Sequence, residues 1–203
     1  MTSRQNKQFT IGIAGIGLGA VVLAVGVLIA HFTGLPDQDA VGREIYPSVP
    51  RGWALVLVGE AIALGGVLLA MAGAAVAFLW GREMTWARAA LGALLFTGLM
   101  IILFGIVPNQ WLNLTQGPLD WNSRRIWLTV PSWLVLGNEV RISAAAVKDI
   151  VSGTYAVVAL AAVVVAIYQW QEWKKRRAAG PPPQPVSTYG RPMTRAQRSP
   201  AER

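Results

Sequence analysis

The chain has 203 residues, 54% of them hydrophobic and only 14% charged, with a formal net charge of +8 and no cysteine. A soluble domain is roughly a quarter charged, and a disordered chain is poor in apolar residues, so neither describes most of this sequence. Zero Cys excludes a disulfide scaffold, a zinc–cysteine site and a thiol nucleophile. The composition is that of an all-α integral membrane protein.

A helix needs about 20 apolar residues to cross the hydrocarbon of a bilayer. Four stretches qualify, at about 9–32, 52–80, 86–107 and 150–170. The second holds one charge, Glu60, and the third holds Arg88 near its start. Helices are expected because lipid offers the backbone no hydrogen-bond partner. The first stretch follows Arg4 and Lys7 like a signal peptide, but it is longer than a signal h-region, and Gly34-Leu35-Pro36 is a poor cleavage site, so it reads as a retained span. Trp53, Trp80, Trp86, Trp111, Trp170 and Trp173 stand at the ends of the spans, where an indole sits well at the headgroup level. Pro108, which cannot donate the next backbone bond, is expected to help stop the third helix.

Residues 1–8 form a short N-terminal segment and 9–173 the four-helix membrane domain. The pieces on the N-terminal side hold Arg4, Lys7, Arg82, Arg88 and eight Lys and Arg residues between Lys174 and Arg203. The opposite loops hold Arg43, Arg51, Arg124, Arg125, Arg141 and Lys148. The positive-inside rule therefore places both termini in the cytoplasm of a multi-pass cell-membrane protein.

Loop 33–51 is polar, is punctuated by Pro36, Pro47 and Pro50, and is expected to carry little regular structure. The turn 81–85 is short enough to make its two helices antiparallel neighbours. Loop 108–149 offers three candidate strands, Ile126–Val130, Trp133–Leu136 and Glu139–Ile142, with the turn pair Gly137-Asn138 between the last two. It reads either as a small β-hairpin or three-strand cap or as an amphipathic segment lying in the interface. Ser143 is a helix cap for a last helix that starts near Ala144. Residues 174–203 open with Lys174-Lys175-Arg176-Arg177 and continue as a proline-rich, basic tail expected to be disordered. Its charge belongs beside anionic lipid, not nucleic acid.

Glu60 is the leading chemical candidate. An ionised carboxylate inside a span is costly, so it is paired, protonated or near water. It reads as a proton, cation or quinone contact, or as a carboxylate that grips a neighbouring helix. His31, the only histidine, reads as a second proton or quinone contact or as an exposed interfacial imidazole. One His makes no bis-histidine haem. No catalytic, cofactor-binding or metal residues are assigned, apart from a quinone or lipid contact. Gly12, Gly15, Gly17 and Gly19 lack the strand–loop–helix setting of a dinucleotide loop. Gly15 with Gly19, and Gly66 and Gly73 with the alanines four residues on, instead form small-residue faces for helix packing. Asn113-Leu114-Thr115 fits a glycosylation sequon, a triplet common by chance.

The leading functional expectation is a non-catalytic accessory or structural subunit of a larger membrane complex, with the bilayer and other subunits as partners. Respiratory and other electron-transfer complexes are the suggested hosts, by analogy alone. The alternative is a small oligomeric transporter or channel using Glu60 as an intramembrane proton or cation site. A membrane enzyme ranks last, since no nucleophile or acid–base set is found.

Overall fold

The computed structural model describes residues 3–178; the proline-rich tail beyond Ala178 lies outside them. The chain divides into two compact units, 1–152 and 153–203. It is mostly helical, with four helices long and apolar enough to span a membrane, at Gln5–Gly34, Trp53–Leu79, Trp86–Gln116 and Ala144–Arg176. A two-stranded sheet completes it.

In the first unit, α1 covers Ser3–Gly34. After the loop, α2 covers Trp53–Ala74 and widens into a π turn at Ala75–Leu79, closed by Trp80 N–H donating to the Ala75 carbonyl at 2.9 Å. Gly81, at φ +68°, turns the chain. Thr85 then caps α3, Trp86–Ile101, by accepting from the Arg88 N–H at 3.4 Å.

The third span does not stop at Pro108. A second π turn, Ile102–Ile106, resets the hydrogen-bond ladder, and α4 runs on over Val107–Gln116 with Pro108 in its first turn. Proline has no N–H to extend a regular i→i−4 ladder, and the wider π turn immediately before it accommodates that missing bond within one continuous helix. The polar run after Pro108 is therefore helix, and it places Gln110 and Asn113 on the end of a membrane span.

Loop 108–149 contains a hairpin, but not the one the turn residues suggested. Strand β1, Ile126–Val130, pairs antiparallel with β2, Val140–Ser143, with a bulge between Ile126 and Leu128. Trp133–Leu136 is not a strand. Pro131 enters at φ −67° without an N–H to give, Ser132–Leu134 close a 3-10 turn, and Leu136 and Gly137 both adopt positive φ, 48° and 92°. The Gly137 N–H then bonds back to the Ser132 carbonyl at 2.9 Å. Gly137-Asn138 thus ends a compact loop instead of joining two strands.

Helix α5, Ala144–Ala178, follows β2 without a linker and carries on through the start of the basic cluster. Ser143 Oγ accepts from the Ala146 N–H at 3.2 Å, as its cap position predicts. The Ala144 and Ala145 N–H groups donate to the carbonyls of Arg125 and Asn122 at 2.7 and 3.4 Å. The free donors of the first turn are thereby matched by the approach to β1. Ser143→Ala should cost about 1 kcal/mol, seen as a fall in thermal midpoint and faster amide exchange at Ala146. The second unit, over its described residues, is the rest of α5. There Trp170 and Trp173 lie 5.5 Å apart, and Lys174 Nζ sits 5.6 Å from the Trp170 ring centre.

Helices α1 and α2 meet backbone to backbone. Gly12, Gly19 and Gly26 recur every seventh residue on α1, and Gly59, Gly66 and Gly73 recur every seventh on α2. All six are buried. A methyl group on Gly12, Gly19 or Gly26 would lie 2.6 Å from the carbonyl oxygen of Gly73, Gly66 or Gly59, respectively. The three pairs descend in antiparallel order. Ala77, Ala70 and Ala63 stand beside them, and Thr33, buried, takes the next α1 position with its hydroxyl on the Ile29 carbonyl at 2.8 Å. A strict seven-residue repeat on a 3.6-residue helix makes such a pair wind left-handed. With no hydrophobic drive between helices in lipid, close van der Waals and Cα–H···O contact holds them. Helix α3 meets this pair through side chains: the Cβ positions of Gly92 and Gly98 face Leu79 Cδ1 at 3.6 Å and Met71 Cε at 3.4 Å. At that end the Phe9 and Phe78 rings meet edge to face, 5.9 Å apart, with the Arg82 guanidinium 5.8 Å from the Phe9 centre.

Candidate functional site: a pocket beside Glu60

Glu60 lies two turns into α2. A helical side chain leans toward the helix N-terminus, so its carboxylate points back toward Trp53 and the hairpin end. There a pocket of about 310 Å³ opens, lined by Gly34, Trp53, Val56, Leu57, Glu60, Gln110, Asn113, Leu114 and Pro118. Helix α2 contributes the floor and the indole, and α4 contributes the two amides. Among the described residues the Glu60 carboxylate has no hydrogen-bond or ion-pair partner. No lysine, arginine or histidine lines the cavity. The pocket thus combines one carboxyl group, two amides, an indole and apolar walls, the mix typical of small-ligand sites.

Two structures hold the segments that flank the lining residues. The first is Arg51. Its guanidinium donates to the carbonyls of Phe32 at 2.9 Å, Leu35 at 3.0 Å and Ile45, and it approaches Asp37 at 3.7 Å. It therefore caps the C-terminal end of α1, where carbonyls lack helical partners and a cation is favoured, and ties loop 33–51 down. The Phe32 and Tyr46 rings meet at 5.5 Å below it. The second is a tryptophan cluster: Trp111 meets Trp121 edge to face at 5.7 Å, and Trp121 meets Trp127, tilted, at 5.1 Å. Trp111 Nε1 donates to the Lys148 carbonyl at 3.4 Å, tying α4 to the first turns of α5.

The structure separates the two titratable candidates. His31 is exposed on the last turn of α1 against Phe32, ring centres 5.4 Å apart, and does not line the Glu60 pocket. Of the six tryptophans expected at span ends, Trp53 also walls the pocket and Trp111 belongs to the cluster. Trp80, Trp86, Trp170 and Trp173 are exposed at helix ends. Gly15, Gly19, Gly66 and Gly73 all face the α1–α2 seam. In the sequon, Thr115 is fully buried, its hydroxyl donating to the carbonyls of Trp111 at 2.8 Å and Leu112 at 3.2 Å, whereas Asn113, the residue that would carry a glycan, is exposed. Sequence reasoning missed Gln110 and Asn113 as wall residues. Their three-residue spacing is a helix-face signal, but it was hidden by the expectation that the helix ends at Pro108. Among the described residues no cluster of three or more His, Cys, Asp or Glu could hold a metal ion.

No protein-family model matches the chain, and comparison with curated proteins and with solved structures finds no significant match.

Proposed function

We propose that the protein is a non-catalytic subunit of a larger cell-membrane complex, with both termini cytoplasmic, and that it presents its hairpin to a partner subunit. The observation that carries this reading is the state of Leu136. It is completely exposed, at 103% of a free residue, and it holds a left-handed φ of 48°. A leucine there bears two separate penalties, solvated apolar area and a backbone conformation that disfavours any Cβ by about 1–2 kcal/mol. Gly removes both and Asn lessens both, and turns ordinarily use them. Trp133 and Leu134 extend the apolar ridge at 80% and 60% exposure, with Trp127 and Leu128 behind. Such a ridge outside the spans marks an interaction surface, and exposed Arg124 and Arg125 at its base suit a partner with an acidic rim.

Leu136→Asn should leave the isolated protein equally or more stable, by up to about 1 kcal/mol, while weakening its association. Gentle extraction from native membranes should recover the chain with other subunits, and a photo-crosslinking side chain at Trp133 should label one of them. Recovery of a lone monomer with no adduct would overturn the proposal. Respiratory and other electron-transfer complexes are the first hosts to look for among the co-purifying chains. The second reading, a small oligomeric transporter, is favoured by the unpartnered carboxylate at a pocket. Its test is a cation flux into proteoliposomes that vanishes in Glu60→Gln.

A further inference from the structure

We infer that the Glu60 pocket is a binding site for a primary ammonium group carried on a short apolar body. The inference holds for a subunit and for a transporter alike, because it rests only on the composition and geometry of the cavity. The lining holds one carboxyl group and no cationic side chain. That disfavours anions. A primary ammonium brings three N–H donors and no acceptor. Against it stand two carboxylate oxygens and the amide oxygens of Gln110 and Asn113, enough to accept all three. Trp53 supplies a π face, which attracts a cation most strongly among the aromatic rings.

Size and wall chemistry narrow the class. About 310 Å³ is far more than a bare alkali ion fills, and Val56, Leu57, Leu114 and Pro118 give such an ion no ligand, since hard cations want oxygen on all sides. The same walls suit a short carbon stem attached to the nitrogen. Placement agrees. Glu60 leans toward the helix end, and Trp53 stands at that end, so the charged group is reached from the headgroup level and not from the hydrocarbon centre. The need is also clear: an unpaired carboxylate in a span is costly, and an ammonium ligand supplies the missing countercharge. Two sources carry this chemistry, the headgroup of an aminophospholipid and a free amine in solution.

The test uses the full chain in maltoside micelles, free of endogenous amines, and follows binding by saturation-transfer NMR and calorimetry. The probes are n-butylammonium as the free amine and dihexanoyl-phosphatidylethanolamine as the lipid. Their controls are n-butanol and dihexanoyl-phosphatidylglycerol. At least one ammonium probe should bind saturably, and neither control should. Glu60→Gln should weaken that binding tenfold or more. Asn113→Leu, at an exposed position on the rim that leaves the helix seam untouched, should weaken it several-fold, which guards against a misfolded Glu60 variant. Binding of the lipid alone assigns the site to a headgroup; binding of butylammonium as well assigns it to free amines. Absence of saturable binding by either, equal binding of n-butanol, or binding unchanged in both variants overturns the inference.

Discussion

Gly66→Ala should strongly destabilise the α1–α2 pair, although it adds a single methyl group. That methyl would overlap the Leu23 backbone nitrogen and lie 2.7 Å from the Gly19 carbonyl oxygen and 2.8 Å from Leu23 Cα. None of these is the movable end of a side chain, so the two helices must separate, and the close contacts at Gly12 and Gly73 and at Gly26 and Gly59 loosen with them. Overpacking a core costs 1–3 kcal/mol where side chains can shift; against backbone, about 3 kcal/mol or more is expected, lowering the thermal midpoint by about 10 °C. The neighbouring Gly65→Ala is the control. Nothing lies within 4 Å of its Cβ position, and alanine favours the helix by up to about 1 kcal/mol over glycine. Thermal denaturation in one detergent should therefore move the adjacent variants in opposite directions. Similar midpoints for the two would disprove the seam.

Arg51→Ala is the second large effect. The side chain is only 19% exposed and donates to the carbonyls of Phe32, Leu35 and Ile45 at once. Its loss strands those carbonyls and removes a cation from the C-terminal end of α1, a cost of about 2–4 kcal/mol. Loop 33–51 should then be cut by protease far faster than in the parent, while the α1–α2 seam below it persists. Arg51→Lys should rescue little, since a single ammonium cannot fork among separated acceptors. Because Gly34 and Trp53, at the two ends of this loop, both line the Glu60 pocket, Arg51→Ala should also weaken any ligand held there. Unchanged proteolysis in Arg51→Ala would show that the loop is held by other contacts.

The four spans were legible in the sequence because burial in lipid is a property of composition: twenty apolar residues in a row need no partner to declare themselves. The cap at Ser143 was legible for a similar reason, since one side chain and the N–H three residues on decide it. The glycine seam was half legible. A four-residue spacing picked out Gly15, Gly19, Gly66 and Gly73, whereas the seven-residue spacing that also takes in Gly12, Gly26 and Gly59 carries the true pairing.

The rest was decided by tertiary structure. Pro108 stops a regular helix but not one whose ladder has just been reset by a π turn, and nothing local announces that turn. Three strand-like runs in loop 108–149 have similar propensities, and only Pro131, the left-handed pair Leu136–Gly137 and the bonds of Ala144 to Arg125 select the pairing of the first with the third. The pocket is the clearest case. Glu60 could be named from charge alone, but the amides that face it lie some fifty residues further along the chain, and distance in sequence carries no record of which helix ends meet. The sequence by itself determined which stretches are long and apolar enough to cross a membrane; packing decided which polar groups share a cavity between them.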